Sequence, residues 1–213
     1  SSMDKDHKNF LDVLNKAKTL GYAETNPASD LNGDDVAAKL KILSSLCFNS
    51  YLNNNIHVEG IKNIDKEDID NANKLGYKIK LLGYAELINN NIFQRVHPTL
   101  IKTSSYVAGI DGVLNAVIID GSPVGQSIIQ GEGAGPTATT SALVSDISSI
   151  LRGNIKFPFS ISNKKRKKLQ FKNISERFFS AYLRFEVADK SGVLSNITNI
   201  FSKSKVSIKR LIQ

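Results

Sequence analysis

Apolar residues in the first third of the chain recur at the 3.6-residue spacing of α-helices. They predict one helix that ends at Gly21 and a second that runs from about Asp35 to Phe48 after an Asp34 N-cap. A third predicted helix is capped by Asp65 and closes near Gly76. The apolar positions that define the first two are Phe10, Leu11, Leu14, Ala17 and Leu20, followed by Val36, Leu40 and Leu43.

The middle of the chain changes to the two-residue alternation of β-strands. Residues 77–86 and 92–96 alternate on either side of an asparagine turn at 89–91, which predicts an antiparallel hairpin. Short strands are also predicted at 57–61 and 113–119. Several antiparallel strands behind three helices favour an α+β fold, with a mixed or antiparallel sheet and helices on one of its faces.

The composition describes a globular chain with a basic balance. Its 213 residues carry a formal net charge of +8 and are 41% hydrophobic, and no apolar run approaches the length of a membrane helix. The single cysteine, Cys47, fits a reducing compartment. We therefore expect a cytoplasmic protein without membrane contact, in which Cys47 is a small core residue rather than a nucleophile.

Part of the positive charge lies in five consecutive cations, KKRKK at 164–168. No aromatic residue interrupts the run, as a platform for stacking single-stranded nucleic acid would require. We therefore expect no nucleic-acid partner, and the sequence predicts a solvated basic linker over residues 161–176.

An acid-rich stretch, GYAETNPASDLNGDDVAAK, separates the first two predicted helices. Its proline and glycine turn signals predict that Glu24 and Asp30 lie on a loop that leads into the second helix. Asp35 and Lys39 are four residues apart, so they share one face of that helix. Such a group could hold a small zwitterion and move a proton, but an ordinary capped, salt-bridged helix start would produce the same pattern.

A glycine-rich segment, GEGAGPT at 131–137, precedes another predicted helix. Glycines let a ligand approach the backbone, and a helix start offers unpaired N–H groups and the positive end of the helix dipole. The glycine spacing is not that of a Rossmann fingerprint, and a tight strand-to-helix turn explains the segment equally well.

The histidines give weaker indications. His97 is the best acid–base candidate by residue type, but its place before Pro98 at a strand end favours a positional role. His57 has no second ligand at a useful spacing, so we expect no metal site.

The acid-rich and glycine-rich stretches resemble those of homoserine dehydrogenases. The resemblance covers nearly the whole chain, but the family's dinucleotide-binding half and its second catalytic lysine lie outside it. It implies an NAD(P)-dependent enzyme that interconverts L-homoserine and L-aspartate 4-semialdehyde as a homodimer, with this piece inactive alone. The matching residues are Ala17, Gly21-Tyr22-Ala23, Asn26-Pro27, Asp30-Leu31, Gly33, Asp35, Lys39, Arg95-Val96-His97-Pro98 and Gly112-Val113-Leu114-Asn115-Ala116.

The same resemblance implies roles for individual residues of both stretches. Glu24 and Asp35 would bind the amino-alcohol substrate, and Asp30 would support the site. Lys39, with Asp35 one helical turn before it, would transfer the proton. The backbone contacts to the nicotinamide cofactor would come from Gly133, Ala134 and Gly135.

The end of the chain resembles the opening of an ACT domain, whose D-x-x-G-V-L turn matches Asp189, Gly192, Val193 and Leu194. The pattern around this turn predicts a strand at 182–187, a helix at 194–201 and a second strand near 206–211. This resemblance implies a partial ferredoxin-like βαβ segment that binds an amino-acid effector and pairs between subunits.

The two resemblances together predict a domain organisation and leave two classes of function open. Residues 1–160 would form the substrate-binding and dimerisation domain, 161–176 the linker and 177–213 the partial ACT domain. The alternative function is a non-catalytic, ACT-type amino-acid-binding regulatory protein. Such a protein would have no need of the Glu24, Asp35 and Lys39 set.

Overall fold

A computed structural model describes residues 10–19, 27–51, 56–155, 159 and 161–213. In these ranges the helices are α1 (Phe10–Thr19), α2 (Ala28–Asn32), α3 (Asp34–Phe48), α4 (Lys66–Lys74), α5 (Pro136–Leu151) and α6 (Val193–Lys203). The strands are β1 (His57–Val58), β2 (Tyr77–Ile88), β3 (Asn91–Lys102), β4 (Leu114–Gly121), β5 (Gly125–Glu132) and β6 (Gln170–Lys172).

The strands form one mixed sheet and one antiparallel ribbon. β2 and β3 pair along their whole length as the predicted hairpin, while β1 and β6 both run parallel to β3. β4 and β5 form the two-stranded ribbon. The predicted α+β fold with a mixed sheet is therefore confirmed.

The first sheet carries helix α3 on one face. The small core contains Ala37 and Leu40 of α3 together with Val96 of β3, which is fully buried. Gly83 of β2 makes room for the helix, because a β-carbon built there would lie 3.2 Å from a methyl of Val36. A buried hydrogen bond from the Gln94 amide to the Ser44 hydroxyl, outside the apolar cluster, also joins β3 to α3.

Lys80, a largely buried residue of β2, connects the first sheet to the segment that precedes the ribbon. Lys80 of β2 donates from Nζ to the Ile110 carbonyl at 2.6 Å and to Asp111 Oδ1 at 2.6 Å. Both partners precede β4 by only a few residues. This cluster links the ribbon, and the α5 helix that follows it, to the main sheet.

The basic segment after α5 is exposed at its lysines but is also attached to the fold. Arg166 is only 9% exposed, with its guanidinium 4.2 Å from the ring centroid of Phe159. Lys167 exchanges backbone hydrogen bonds with Asn49 and Tyr51, just after α3. Strand β6 then joins the sheet beside β3. The four lysines of the run are exposed, as expected of a solvated segment, whereas Arg166 is buried against an aromatic ring and the backbone of the segment is paired.

Two smaller expectations are also corrected. Cys47 is exposed rather than buried, because it lies on the side of α3 that faces away from the sheet. The residue before α3 that acts as N-cap is Gly33, with a φ of 87°, and Asp34 belongs to the first helical turn. Asp34 therefore stabilises the helix through its charge at the positive end of the dipole rather than as a side-chain cap.

The C-terminal segment contains its predicted helix but not its predicted strands. Helix α6 follows Gly192 as expected, whereas residues 182–187 and 206–211 form no strand. A strand needs a hydrogen-bonded neighbour, and no sheet partner borders these residues in the part of the chain that the structure describes. Among the described helices, none combines the length and the apolar character needed to cross a membrane.

Candidate active site

Asp35 and Lys39 form an ion pair on the outer face of α3. Lys39 Nζ donates to Asp35 Oδ2 at 2.7 Å, across one helical turn. The Lys39 side chain is 60% exposed and the Asp35 side chain is 41% exposed. An exposed pair of this kind contributes little to stability. A ligand can therefore separate or bridge the two groups at low cost to the fold.

The start of α3 is fixed by close packing around Gly33. Its positive φ is a conformation that favours glycine, and a β-carbon there would lie 3.2 Å from methyl groups of Val58 and Val96. The carbonyl of Gly33 accepts from the Ala37 amide and opens the helix. The helix carrying Lys39 therefore starts at a point set by both strands β1 and β3.

A second glycine, Gly60, packs closely against the end of α2. The Ile61 amide donates to the Leu31 carbonyl at 2.9 Å, and a β-carbon on Gly60 would lie 2.6 Å from Asn32 Cα. These contacts hold the α2–α3 corner against the segment after β1. Gly60 lies inside the predicted strand 57–61, where an isolated glycine is a signal of close backbone approach that could have identified this contact.

The predicted acids fall into different structural settings. Asp30 is exposed and lies on the short helix α2, not on a loop, because the turn after Pro27 continues for five helical residues. It stands one turn ahead of α3, so Asp30, Asp35 and Lys39 belong to one corner of the fold. Glu24 lies outside the described residues, and its position relative to Lys39 remains a prediction.

The glycine-rich segment forms the turn between β5 and α5. Gly135 is the N-cap of α5, with a φ of 109°, and Pro136 occupies the first turn. No side chain caps the helix start, which leaves first-turn N–H groups available. The Gly133 amide donates to the Val113 carbonyl, and the side chain of Asn115 occupies the space that a β-carbon on Gly133 would need.

The two predicted parts of the site are carried by different layers. Asp30, Asp35 and Lys39 sit on helices that pack on the first sheet, whereas Gly133 to Gly135 follow the ribbon. Their convergence on one substrate remains a prediction. Within the described residues, no three His, Cys, Asp or Glu side chains are grouped to hold a metal ion.

His97 makes its polar contacts within its own strand. Its Nδ1 lies 2.7 Å from the Pro98 carbonyl, so this nitrogen carries the proton and donates it. The Thr99 hydroxyl lies 3.3 Å from the same nitrogen. This arrangement orients the ring within its own strand.

The exposed Asp35–Lys39 pair at a tightly packed helix start and the glycine turn before α5 are features of this fold with chemistry suited to a small polar ligand. Comparison with known proteins defines the class further. Residues 1–148 match the family model for homoserine dehydrogenase. The chain is 38% identical to a homoserine dehydrogenase of Helicobacter pylori, an alignment that covers all of this chain and 50% of the relative.

Solved structures give the same answer. A homoserine dehydrogenase from Thiobacillus denitrificans superposes with a TM-score of 0.86 and 34% identity, over 100% of this chain and 51% of the other. An archaeal homoserine dehydrogenase mutant in complex with NADPH has a TM-score of 0.54 and 26% identity, over 70% and 42% of the two chains. The chain belongs to the homoserine dehydrogenase family, and it spans about half the length of the relatives it matches.

Proposed function

We propose that this chain supplies the substrate-binding part of an NAD(P)-dependent homoserine dehydrogenase, which interconverts L-homoserine and L-aspartate 4-semialdehyde. The observation that carries the proposal is the exposed Asp35–Lys39 pair, held at a rigid helix start in a member of this family. The exposed acids suit the α-ammonium group of an amino acid. The lysine suits the oxygen at the reacting carbon.

The proposed chemistry is a hydride transfer coupled to a proton transfer. The nicotinamide, when bound, supplies or accepts the hydride. During reduction of the aldehyde, Lys39 Nζ gives a proton to the carbonyl oxygen as hydride reaches the carbonyl carbon, and the C=O bond becomes C–OH. In the reverse direction Nζ receives the hydroxyl proton. Glu24 and Asp35 hold the ammonium group and so fix the orientation of the reacting carbon, with Asp30 in support.

The glycine turn fits a role beside the cofactor. Gly133 and Gly135 present backbone without side chains, and the N-terminus of α5 is uncapped and open to an anionic or polar group. The NADPH complex of the archaeal neighbour supports a nicotinamide dinucleotide as the redox partner. In this proposal Gly133, Ala134 and Gly135 contact the cofactor, while a dinucleotide-binding half outside these residues holds most of it and contributes a second lysine.

Exchanging Asp35 for asparagine in the full-length enzyme tests the substrate site. Loss of one charge-assisted hydrogen bond to an ammonium group, about 1.5–3 kcal/mol, should lower kcat/KM for homoserine by roughly 10–150-fold. Steady-state kinetics would show the loss mainly as a raised KM for homoserine. The KM of the nicotinamide cofactor should stay within about twofold.

Asp34→Asn is the matched control for this experiment. Asp34 precedes Asp35 in the same helical turn and is exposed, so its loss removes an equal charge from the helix start without removing a proposed ligand group. Equal effects of the two substitutions on KM would show that the helix dipole, and not substrate contact, explains the result. Glu24→Gln should behave like Asp35→Asn.

We also propose that the chain forms a homodimer. Large apolar side chains remain exposed on the ribbon and on α5, which is more uncovered apolar surface than an isolated subunit normally presents. They include Val124, Ile128, Ile129, Leu143, Val144, Ile147 and Ile150. Light scattering at micromolar concentration should give twice the 23.3 kDa chain mass. A fully folded chain that stays monomeric at these concentrations would be incompatible with this proposal.

The C-terminal residues complete the proposed assembly. We propose a division into 1–160, 161–176 and 177–213, with the last part the beginning of an ACT-type module that takes an amino-acid effector. The D-x-x-G-V-L turn and the helix α6 that follows it support this assignment. A cytoplasmic location suits an enzyme of this class.

A further inference from the structure

The C-terminal segment contacts the start of α4 through Arg184 and Tyr182. Arg184 NH1 lies 2.6 Å from Asp65 Oδ2 and 3.1 Å from Glu67 Oε2, and its Nε lies 3.4 Å from Asp68 Oδ1. The Tyr182 hydroxyl donates to the same Asp68 oxygen at 3.1 Å. One guanidinium therefore faces three carboxylates at the N-terminal end of one helix.

Two of these three carboxylates also cap helix α4. Asp65 and Asp68 form a reciprocal capping box, in which each side chain accepts from the other's backbone amide. Asp68 is only 5% exposed. Burial opposes ionisation of Asp65, but the Asp68 amide and Arg184 outweigh it and hold the pKa of Asp65 below its ordinary value. The arginine therefore favours the charged form that the capping box needs.

A second arginine of the same segment, Arg210, is hydrogen-bonded to the other end of α4. Arg210 NH1 donates to the carbonyl of Leu75, the C-cap residue of the helix. Its guanidinium also lies 5.7 Å from the ring centroid of Tyr77, the first residue of β2. A cation at this position satisfies an unpaired carbonyl and complements the negative end of the helix dipole.

We propose that Arg184 and Arg210 form a two-arm brace that sets the position of α4 and, through β2, the position of the helix that carries Asp35 and Lys39. Helix α4 packs against β2. β2 in turn receives Val36 and Leu40 of α3 at Gly83. The two arginines are thus positioning residues for the catalytic corner, and the significance of that corner rests on the function proposed above.

The arms of the brace also depend on each other. Lys209, next to Arg210, donates from Nζ to the Ser180 hydroxyl at 2.9 Å, and the rings of Phe185 and Phe201 lie 6.1 Å apart. These contacts hold the two ends of the segment together around α6. A ligand or partner that moves one arm will therefore move the other, so the brace can pass an event in the C-terminal segment to α4.

Hydrogen exchange followed by mass spectrometry tests the brace on this chain without any need for activity. The variants are Arg184→Gln, Arg210→Gln and the pair combined, with Arg184→Lys as the conservative change. In the double variant, amides of residues 69–75 should exchange at least about tenfold faster, and peptides covering 34–48 should also exchange faster. Arg184→Lys should restore part of the protection, because it keeps the charge.

Lys203→Gln is the matched control, since it removes an equal charge from an exposed position at the end of α6. It should leave residues 69–75 unchanged. Unchanged exchange of 69–75 in the double variant would overturn the brace. Faster exchange there with no change at 34–48 would overturn its connection to the catalytic corner.

A kinetic measurement separates this inference from the proposed function. In the full-length enzyme, Arg184→Gln/Arg210→Gln should raise the KM for homoserine at least several-fold while the KM for the nicotinamide cofactor stays within twofold. Equal changes in both KM values would overturn the positioning role. An enzyme with no homoserine activity in any variant, wild type included, would refute the proposed function, and the exchange data would still decide the brace.

Discussion

Replacing Lys39 with alanine in the full-length enzyme should lower kcat by roughly 10²–10⁴-fold, the usual contribution of a positioned proton-transfer group. In the proposed mechanism the lysine acts on the oxygen whose charge changes during the reaction, so the expected loss is in turnover. Folding should survive, since the side chain is 60% exposed and its ion pair with Asp35 spans one turn of a surface helix. Steady-state kinetics with thermal melts would measure both properties.

Lys41→Ala provides the comparison for this variant. Lys41 lies two residues further along α3 and points in another direction. Its substitution therefore removes the same charge from the same helix. It should retain turnover within about twofold. Near-normal turnover in a folded Lys39→Ala enzyme would contradict the proton-transfer role. The Asp35–Lys39 pair would then be an ordinary surface salt bridge.

Replacing Gly60 with alanine should destabilise the fold by about 1–3 kcal/mol or more, the range for overpacking at a rigid site. The added β-carbon would overlap the Leu31 carbonyl oxygen and lie 2.6 Å from Asn32 Cα, and both are backbone atoms that cannot rotate away. For a chain of this size, a loss of about 1–3 kcal/mol corresponds to a fall in melting temperature of roughly 2–12 °C. Calorimetry or circular dichroism would measure the change.

Gly109→Ala is the control for the glycine experiment. A β-carbon on Gly109 meets nothing within 4 Å, so its substitution should leave the melting temperature within about 2 °C. Comparing the melting temperatures of the two variants separates the effect of a steric clash from the effect of replacing a glycine by alanine as such. A Gly60→Ala chain as stable as Gly109→Ala would show that the α2–α3 corner is loose and that the start of α3 is not rigidly held.

The elements that sequence patterns predicted well are those whose stability comes from their own neighbours. The alternation on both sides of the 89–91 turn predicted the β2–β3 hairpin, and the apolar spacing predicted α3. The pattern also placed the Asp65 cap of α4, because a capping box is a local interaction. In each case the signal and the structure involve residues close together in the chain.

The elements that were missed depend on distant partners. β6 follows the basic run, and it becomes a strand only because β3 offers a free edge about 80 residues earlier in the chain. The same reason explains why 182–187 was predicted as a strand and forms none: its alternation is suitable, but no described neighbour pairs with it. Cys47 was misplaced because the apolar run Ile42 to Phe48 wraps around a helix that is buried on one side only.

The candidate site shows the same division. The spacing of Asp35 and Lys39 predicted their ion pair, which the structure contains at 2.7 Å. Spacing could not reveal that Gly60 and Val96 fix the helix start, because these residues come from separate segments. The pairing of the Arg184 side chain with α4, 117 residues from Glu67, was likewise beyond any local pattern.

Strand β6 also determines how far the C-terminal segment can move. The chain is anchored to the sheet up to Lys172, and Arg177 then pairs with Glu86 of β2. Only residues 178–181 separate that anchor from Tyr182, a tether of at most about 18 Å when fully extended. So short a tether keeps Arg184 at a high effective concentration near its three carboxylates. A detached arm would therefore re-engage far more often than a free peptide of the same sequence could bind, and lasting release requires a competitor that occupies the arm itself.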